Sequence, residues 1–376
     1  MQDILLKLKH PYVEGTVIAH SRASSGKYIG SPSITAIPSG ELFASHDFFG
    51  PESNEFKAPE THVYTSKNNG KNWSLTSRVK KAFWSKLFWH DDVLWLIGTD
   101  RHHGNLVIRK SIDQGRTWTT PTDRRSGLLA KGEFHCAPTP FVQHDGYLWK
   151  AFEQKTANET EWPKFYSPIV MSVATDDNLL DAANWKASNT LLYNSDLLDG
   201  KFGGWLEGNI VATPSNTLVN LLRVENDHTH TEHLAFCELN TKSNLLKLSK
   251  THEFVEFPGG SKKFMIRFDS KSKKYLSLTN TIKETDETKE VEPDNLRNQL
   301  SLVSSTDLIT WKTEKEVLFH PDHAKHAFQY VSWIIKGDDI LFVSRTAADD
   351  RYGGAKSFHD ANYLTFHTIK DFRETL

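Results

Sequence analysis

Short runs in which apolar and polar residues alternate recur along the chain, and polar turns close them. A two-residue period puts successive side chains on opposite faces, which predicts β-strands. Six turns stand between paired runs of this kind: Pro38-Ser39-Gly40, Asp91-Asp92, His144-Asp145-Gly146, Pro214-Ser215-Asn216, Ser270-Lys271-Ser272 and Gly337-Asp338-Asp339. Each pair is followed by a variable loop, a third run, a tight turn and a fourth run. The expected unit is a four-stranded sheet, repeated along the chain. No linker or low-complexity segment divides it, and the charged run from Lys283 to Asp294 is expected to be one solvated loop.

The turn before the fourth run has its own signature. Ser66-Lys67-Asn68-Asn69-Gly70-Lys71-Asn72-Trp73 and Ser111-Ile112-Asp113-Gln114-Gly115-Arg116-Thr117-Trp118 are two copies of one pattern; Ser304 to Trp311 is a degenerate third, and a stretched fourth ends at Asn184-Trp185. An Asp or Asn side chain there can cap the turn's own amides, and Gly supplies a positive φ. The pattern resembles the Asp-box, a turn of sialidase-like β-propellers. Trp73 and Trp118 lie 45 residues apart, Trp118 and Trp185 67, and Trp185 and Trp311 126, which is two units of 63. Such a period fits a four-stranded blade with long loops. The expectation is an all-β chain, a single β-propeller over residues 1–376 with six blades. The stretch Thr16-Val17-Ile18-Ala19 is its outer strand, closing the last blade.

Composition narrows the function. Of 376 residues, 45 are Lys or Arg and 47 are Asp or Glu, a formal net charge of −2. Such a balance argues against partners that need bulk positive charge, namely nucleic acid and acidic membrane surfaces. No run of about 18 apolar residues is present to span a membrane. The start, Met1-Gln2-Asp3-Ile4-Leu5-Leu6-Lys7, lacks a signal-peptide core, so the chain is expected to be cytoplasmic, or periplasmic or secreted with its leader removed. Two cysteines cannot make a disulfide framework, whereas 11 Trp, 10 Tyr and 22 Phe suit both a large β core and a surface on which sugar rings stack. Serine-nucleophile, P-loop and dinucleotide signatures are absent.

Topology then selects a face. If the signature turns join the third and fourth strands at one end, the loops between the second and third strands open at the other. That mouth gathers His46, Asp47, His62, Arg101, His103, His135, Glu153, Lys164, Tyr166, Trp205, Glu207, Asn209, Arg223, Gln329, Arg345 and His359. A face this rich in His, Arg, Tyr and Trp points to an anionic, ring-shaped ligand, here an anionic oligosaccharide.

Five segments resemble a family: Tyr28-Ile29-Gly30-Ser31-Pro32-Ser33-Ile34, Ala44-Ser45-His46-Asp47-Phe48-Phe49-Gly50-Pro51, Trp205-Leu206-Glu207-Gly208-Asn209, Phe257-Pro258-Gly259-Gly260, and His359-Asp360-Ala361-Asn362-Tyr363-Leu364-Thr365-Phe366-His367. Together they look like the sialidase-fold propellers that act on rhamnose–glucuronate linkages, the rhamnosyl-glucuronate lyases and hydrolases, with ulvan lyases and uronate dehydratases as more distant relatives. The resemblance implies seven blades, against the count of six. It implies a catalytic histidine at His46, with His62, Tyr166 and Arg223 in places that fit its partners. True sialidases need three arginines and an Arg-Ile-Pro segment, which is absent.

The expected reaction is β-elimination on a uronic acid of the rhamnose–glucuronate type. The C5 proton leaves only if the carboxylate is neutralised, by Arg223, Arg345 or Arg101; His46 or His62 then serves as base and Tyr166 as acid. The alternatives are a dehydratase making a 4,5-unsaturated uronate, an α-L-rhamnosidase-type hydrolase built on the carboxylates Asp47, Glu153, Glu207 and Asp360, and a non-catalytic sugar-binding propeller. No cofactor is required. His228, His230, His233 and Cys237 are a candidate structural zinc or calcium set. The chain is expected to be a monomer or a dimer.

Overall fold

The computed structural model describes residues 13–156, 159–226, 231–285 and 287–376. The chain is all-β, and the helices among the described residues are short 3₁₀ turns such as Ala23–Ser25 and Ala182–Asn184. None is long and apolar enough to cross a membrane.

Antiparallel sheets follow one another around a ring, in a β-propeller arrangement. Four stand as separate blades of four or five strands. Each opens on its innermost strand: Ser33–Ala36, Phe202–Ala212, Ile266–Asp269 and Ala327–Lys336. Between the first and second of these lies one eight-stranded sheet that opens on Phe83–His90. This corrects the expected count, since hydrogen bonding gives four separate blades and one double-width sheet rather than six or seven blades. The cause is the strand Leu128–His135. It pairs with Gly104–Ser111 from Leu128 to Phe134, and on its other edge Phe134 and His135 pair with Gln154 and Glu153 of Tyr147–Lys155. The strand Thr16–His20 is the outer edge of the last sheet, beside Tyr363–Ile369.

Successive sheets bury apolar layers against one another. Ile34, Leu42 and Ala44 meet Leu341, Val343, Leu364 and Phe366 where the last sheet meets the first. Each of the larger side chains, Ala44 excepted, contributes about 1.5–3 kcal/mol when fully buried. The repeated turns lock these layers from the outside. Asp113 accepts from the amides of Arg116 and Thr117 (3.1 and 2.9 Å), and Asp307 from those of Ile309 and Thr310. Trp73, Trp118 and Trp311 each donate the indole N–H back into their own turn. Gly70 stands at φ 82, and a Cβ there would fall 2.0 Å from the Phe366 ring, so the turn needs glycine twice over. The charged run after Lys283 lies in the loop between Lys274–Thr279 and Gln299–Ser305.

Candidate functional site

Three of the innermost strands carry one extra residue near their starts. Phe83 pairs with Thr99 and Lys86 with Ile97; Leu206 pairs with Arg223 and Asn209 with Leu221; Gln329 pairs with Arg345 and Ser332 with Val343. Each mismatch is a β-bulge, and each bulge holds a non-glycine residue at positive φ: Trp84 (47°), Glu207 (60°) and Tyr330 (53°). A bulge re-aims its side chain, and such strained backbone clusters at functional sites. All three residues, together with His103 at φ 48, line one cavity of ≈ 270 Å³. It lies at the starts of the innermost strands, the end of the ring away from the repeated turns. Trp84 and Tyr330 carry no motif, and alternation alone does not reveal them.

The cavity's other walls are Asp47, Glu55, His102, His135, Trp162, Tyr166, Arg345 and His359, with apolar support from Phe49, Phe83 and Leu206. Two hydrogen-bonded pairs stand out. His135 Nδ1 lies 2.6 Å from Glu153 Oε2. A carboxylate only accepts, so Nδ1 bears the hydrogen, and in the neutral ring this leaves the lone pair on Nε2. The other Glu153 oxygen accepts from the Gly208 amide at 3.0 Å, which fixes the carboxylate. The second pair is Tyr166 and His103, with Oη 2.6 Å from Nε2. Burial first, and then the nearby Glu153 and Glu207, push the Tyr166 hydroxyl well above its ordinary range, so it stays protonated. Burial, with His102 and His135 nearby, lowers His103 to about 3 and keeps it neutral. The rings of His135 and Tyr166 lie 5.2 Å apart, so both reach one sugar.

Arg345 is the cation of the cavity. It is buried, stands over Phe49 and Tyr330 at 4.3 and 4.7 Å, and donates to the His359 carbonyl. Its Nε has no partner, and it has no ion pair among the described residues. Burial lowers it to about 10, so it remains charged at neutral pH. His359 pairs with Asp360 at 2.9 Å, and burial plus Arg345 lower it to about 4.

The carboxylates of the wall are already committed. Asp47 accepts from the amides of Ser31 and Trp84 at 2.6 and 2.5 Å, pinning three segments together. Burial raises it to about 6 against the pull of those two bonds. A Cβ on Gly30 would sit 1.7 Å from Asp47 Oδ1, so that approach requires glycine. Glu55 holds His102 Nδ1 at 3.0 Å and the Gly50 amide at 3.0 Å. Glu207 pairs with Arg223 at 3.2 Å.

Several expected site residues are elsewhere. His46 is wholly buried behind the wall, with Nδ1 2.8 Å from the Asp47 carbonyl and Nε2 3.2 Å from Tyr64 Oη. His46 and Asp47 are strand neighbours and point to opposite faces; only Asp47 reaches the cavity. His62 pairs across from His46 and lies 3.7 Å from Glu60, away from the cavity. Arg223 is spent on Glu207 and Glu225, so its charge is not open to a ligand. Trp205 is core, Asn209 bonds the Glu207 and Phe264 carbonyls, and Gln329 bonds Arg297 and the Phe358 carbonyl. Arg101 pairs with Asp100 and Lys164 with Glu161, both outside the cavity wall. His103, His135, Tyr166, Glu207, Arg345, His359 and Asp47 are the expected residues that the fold brings together.

The proposed metal set does not assemble. His228 and His230 lie outside the described residues. His233 and Cys237 are four residues apart on one strand, about 13 Å at the usual rise, too far to share an ion. Cys237 is packed in the core, and burial pushes its thiol far up.

Burial also makes the fold acid-sensitive. It lowers His46 to about 3 and His367 to about 4. A histidine held neutral in this way supports the fold above its unfolded value near 6.5 and loses that support as pH falls, because the unfolded chain takes up a proton the folded one refuses. His46 alone should remove up to about 1.4 kcal/mol per pH unit below pH 6.5 until its folded value is reached. Urea melts at pH 7, 6 and 5 should therefore show falling stability, with a shallower fall in His46→Phe.

No protein-family model matches the chain, and no curated protein matches it. Solved structures do. An α-L-arabinanase from Penicillium chrysogenum, complexed with arabinobiose, superposes with a TM-score of 0.60 at 13% identity over 97% of this chain and 99% of that one. An α-L-arabinofuranosidase from Fusarium graminearum, with an iminosugar inhibitor, gives 0.62 at 11% over 96% and 99%. A Trypanosoma rangeli sialidase, with sialic acid, gives 0.58 at 13% over 97% of this chain and 58% of that one. The fold is thus that of propellers which, in those proteins, process carbohydrate.

Proposed function

We propose that the protein is a carbohydrate-active lyase that cleaves uronic-acid-containing oligosaccharides of the rhamnose–glucuronate type by β-elimination. One observation carries the reading: an oriented His135–Glu153 pair and a Tyr166–His103 pair share a cavity with Arg345, a buried cation with no ion pair among the described residues. Arg345 neutralises the substrate carboxylate, which makes the C5 proton removable. His135 Nε2 takes that proton, and Glu153 stabilises the imidazolium that forms. The C4–C5 double bond forms as the C4–O bond breaks. The departing oxygen takes the Tyr166 hydroxyl proton, and exchange with water restores both side chains. The same steps with water as leaving group would make a dehydratase.

A glycoside hydrolase is the second reading, favoured by the arabinanase and arabinofuranosidase neighbours. It needs a free carboxyl pair, and Asp47, Glu55 and Glu207 are each bound to fixed partners. The test is incubation with glucuronate-containing oligosaccharides while the ultraviolet absorbance of an unsaturated uronate is followed. A rise supports elimination; released sugar without it means hydrolysis; neither leaves a binding protein. Arg345→Gln is expected to lower kcat/KM by about 10- to 150-fold, the worth of one charge-assisted bond. Neutral substrates, if turned over, should be unaffected. An equal loss on a neutral sugar would make Arg345 structural.

A further inference from the structure

Deeper along the axis of the ring, basic side chains gather with no ion pair among the described residues, the nearest carboxylate influence being that of Glu207 on Lys263. Lys86, from the eight-stranded sheet, lies 3.3 Å from the Ile34 carbonyl and 3.3 Å from Ser332 Oγ. Lys263 Nζ donates to the Val331 carbonyl at 2.5 Å, and Arg267 Nε to the Trp333 carbonyl at 3.0 Å. Residues 331, 332 and 333 are consecutive on one strand, so Lys86 of the eight-stranded sheet, Arg267 of Ile266–Asp269 and Lys263 of the segment before it meet one short stretch of the last sheet. Lys86 and Lys263 are 2% and 3% exposed. None of the three makes an ion pair among the described residues, and Lys86 is further disfavoured by the charges of Arg267, Lys263 and Lys150. The two Nη groups of Arg267 have no hydrogen-bond partner among those residues. Lys86 and Arg267 line a second cavity, of ≈ 660 Å³, which lies at the repeated-turn end.

Buried charges are kept paired or are given up. Lysine can shed a proton; Arg267, half-buried at the cavity wall, does not do so at neutral pH and keeps its charge there. A guanidinium with both Nη groups free offers the fork that fits a tetrahedral oxyanion, and an ammonium adds a point charge beside it. We propose that this axial cavity binds one small inorganic oxyanion, phosphate or sulfate, between Lys86 and Arg267. The site is separate from the carbohydrate cavity and does not rest on the activity proposed for it. A bound oxyanion would neutralise the axis and tie three sheets together.

Equilibrium dialysis of the full chain against labelled inorganic phosphate at pH 7 tests this. The expected result is one phosphate per chain with a dissociation constant below about 1 mM, displaced by sulfate but not by chloride at equal ionic strength. Arg267→Gln should weaken binding by about 10-fold or more, whereas Arg345→Gln, in the other cavity, should leave it unchanged. If Arg267→Gln does not fold, Lys86→Met makes the same comparison. Three results overturn the proposal: no saturable phosphate in the unaltered chain, displacement by chloride as readily as by sulfate, or loss of binding in Arg345→Gln with retention in Arg267→Gln. The first would mean that the lysines sit uncharged and that Arg267 is hydrated.

Discussion

Replacing His135 by alanine is expected to lower the turnover of a uronate oligosaccharide by about 10²- to 10⁴-fold, the usual worth of a general base. The ring lies at the wall of the cavity with Nδ1 tied to Glu153, so its loss removes the group that accepts the C5 proton and little of the core. The melting temperature should change far less than the rate. Glu153→Gln should also slow the reaction, because an amide can donate to Nδ1 and so favour the tautomer whose Nε2 already bears hydrogen. The double variant should be little worse than His135→Ala, since the two residues act as one unit. A shift of the acidic limb of the pH–rate profile in Glu153→Gln separates orientation of the base from mere support of the fold. Near-normal elimination by His135→Ala would transfer the base to the Tyr166–His103 pair.

Arg223→Ala is expected to destabilise the fold by about 3–5 kcal/mol, because removing one partner of a buried ionic cluster leaves the others uncompensated. Arg223 is 1% exposed and bonds both Glu207 and Glu225, themselves largely buried. Its removal strands two carboxylates and frees the bulge that holds Glu207 in the cavity wall. Urea unfolding measures the effect directly. Adding Glu207→Gln and Glu225→Gln to Arg223→Ala should restore part of the loss, whereas a residue that only bound substrate would show no such rescue. Unchanged stability with a loss confined to uronate turnover would return Arg223 to a substrate role.

Much of the architecture is legible in local chemistry. The Asn68, Asp113 and Asp307 turns follow from short side chains bonding their own amides, and the chain order of runs and turns tells which loops share an end. That logic brings His103, His135, Tyr166 and Arg345 to one face. It does not separate His46 from Asp47. The strand Leu42–Phe49 is covered on both sides, so every position from Leu42 to Asp47 is buried and alternation gives no sign of which side faces the axis. Cross-strand partners are equally hidden. His135 and Glu153 are 18 residues apart and meet only because their strands pair in that register, the same pairing that fuses two expected blades. Arg223 is a charged residue in a predicted strand; alternation sets Glu225, two residues on, on its face, but nothing local marks its cross-strand partner Glu207. Trp84 and Tyr330 escape because an extra residue resets the phase of each strand where the site begins.

Those extra residues have a further consequence. A ladder interrupted at the same level in three innermost strands runs in two independent phases, one toward the cavity and one toward the repeated turns. An insertion or deletion in a mouth loop can therefore be absorbed at the interruption without turning the apolar side of the sheet outward. Heritable variation in specificity would then accumulate above the interruptions while the packing below stays fixed, which would let one scaffold drift among sugars at low risk to its folding.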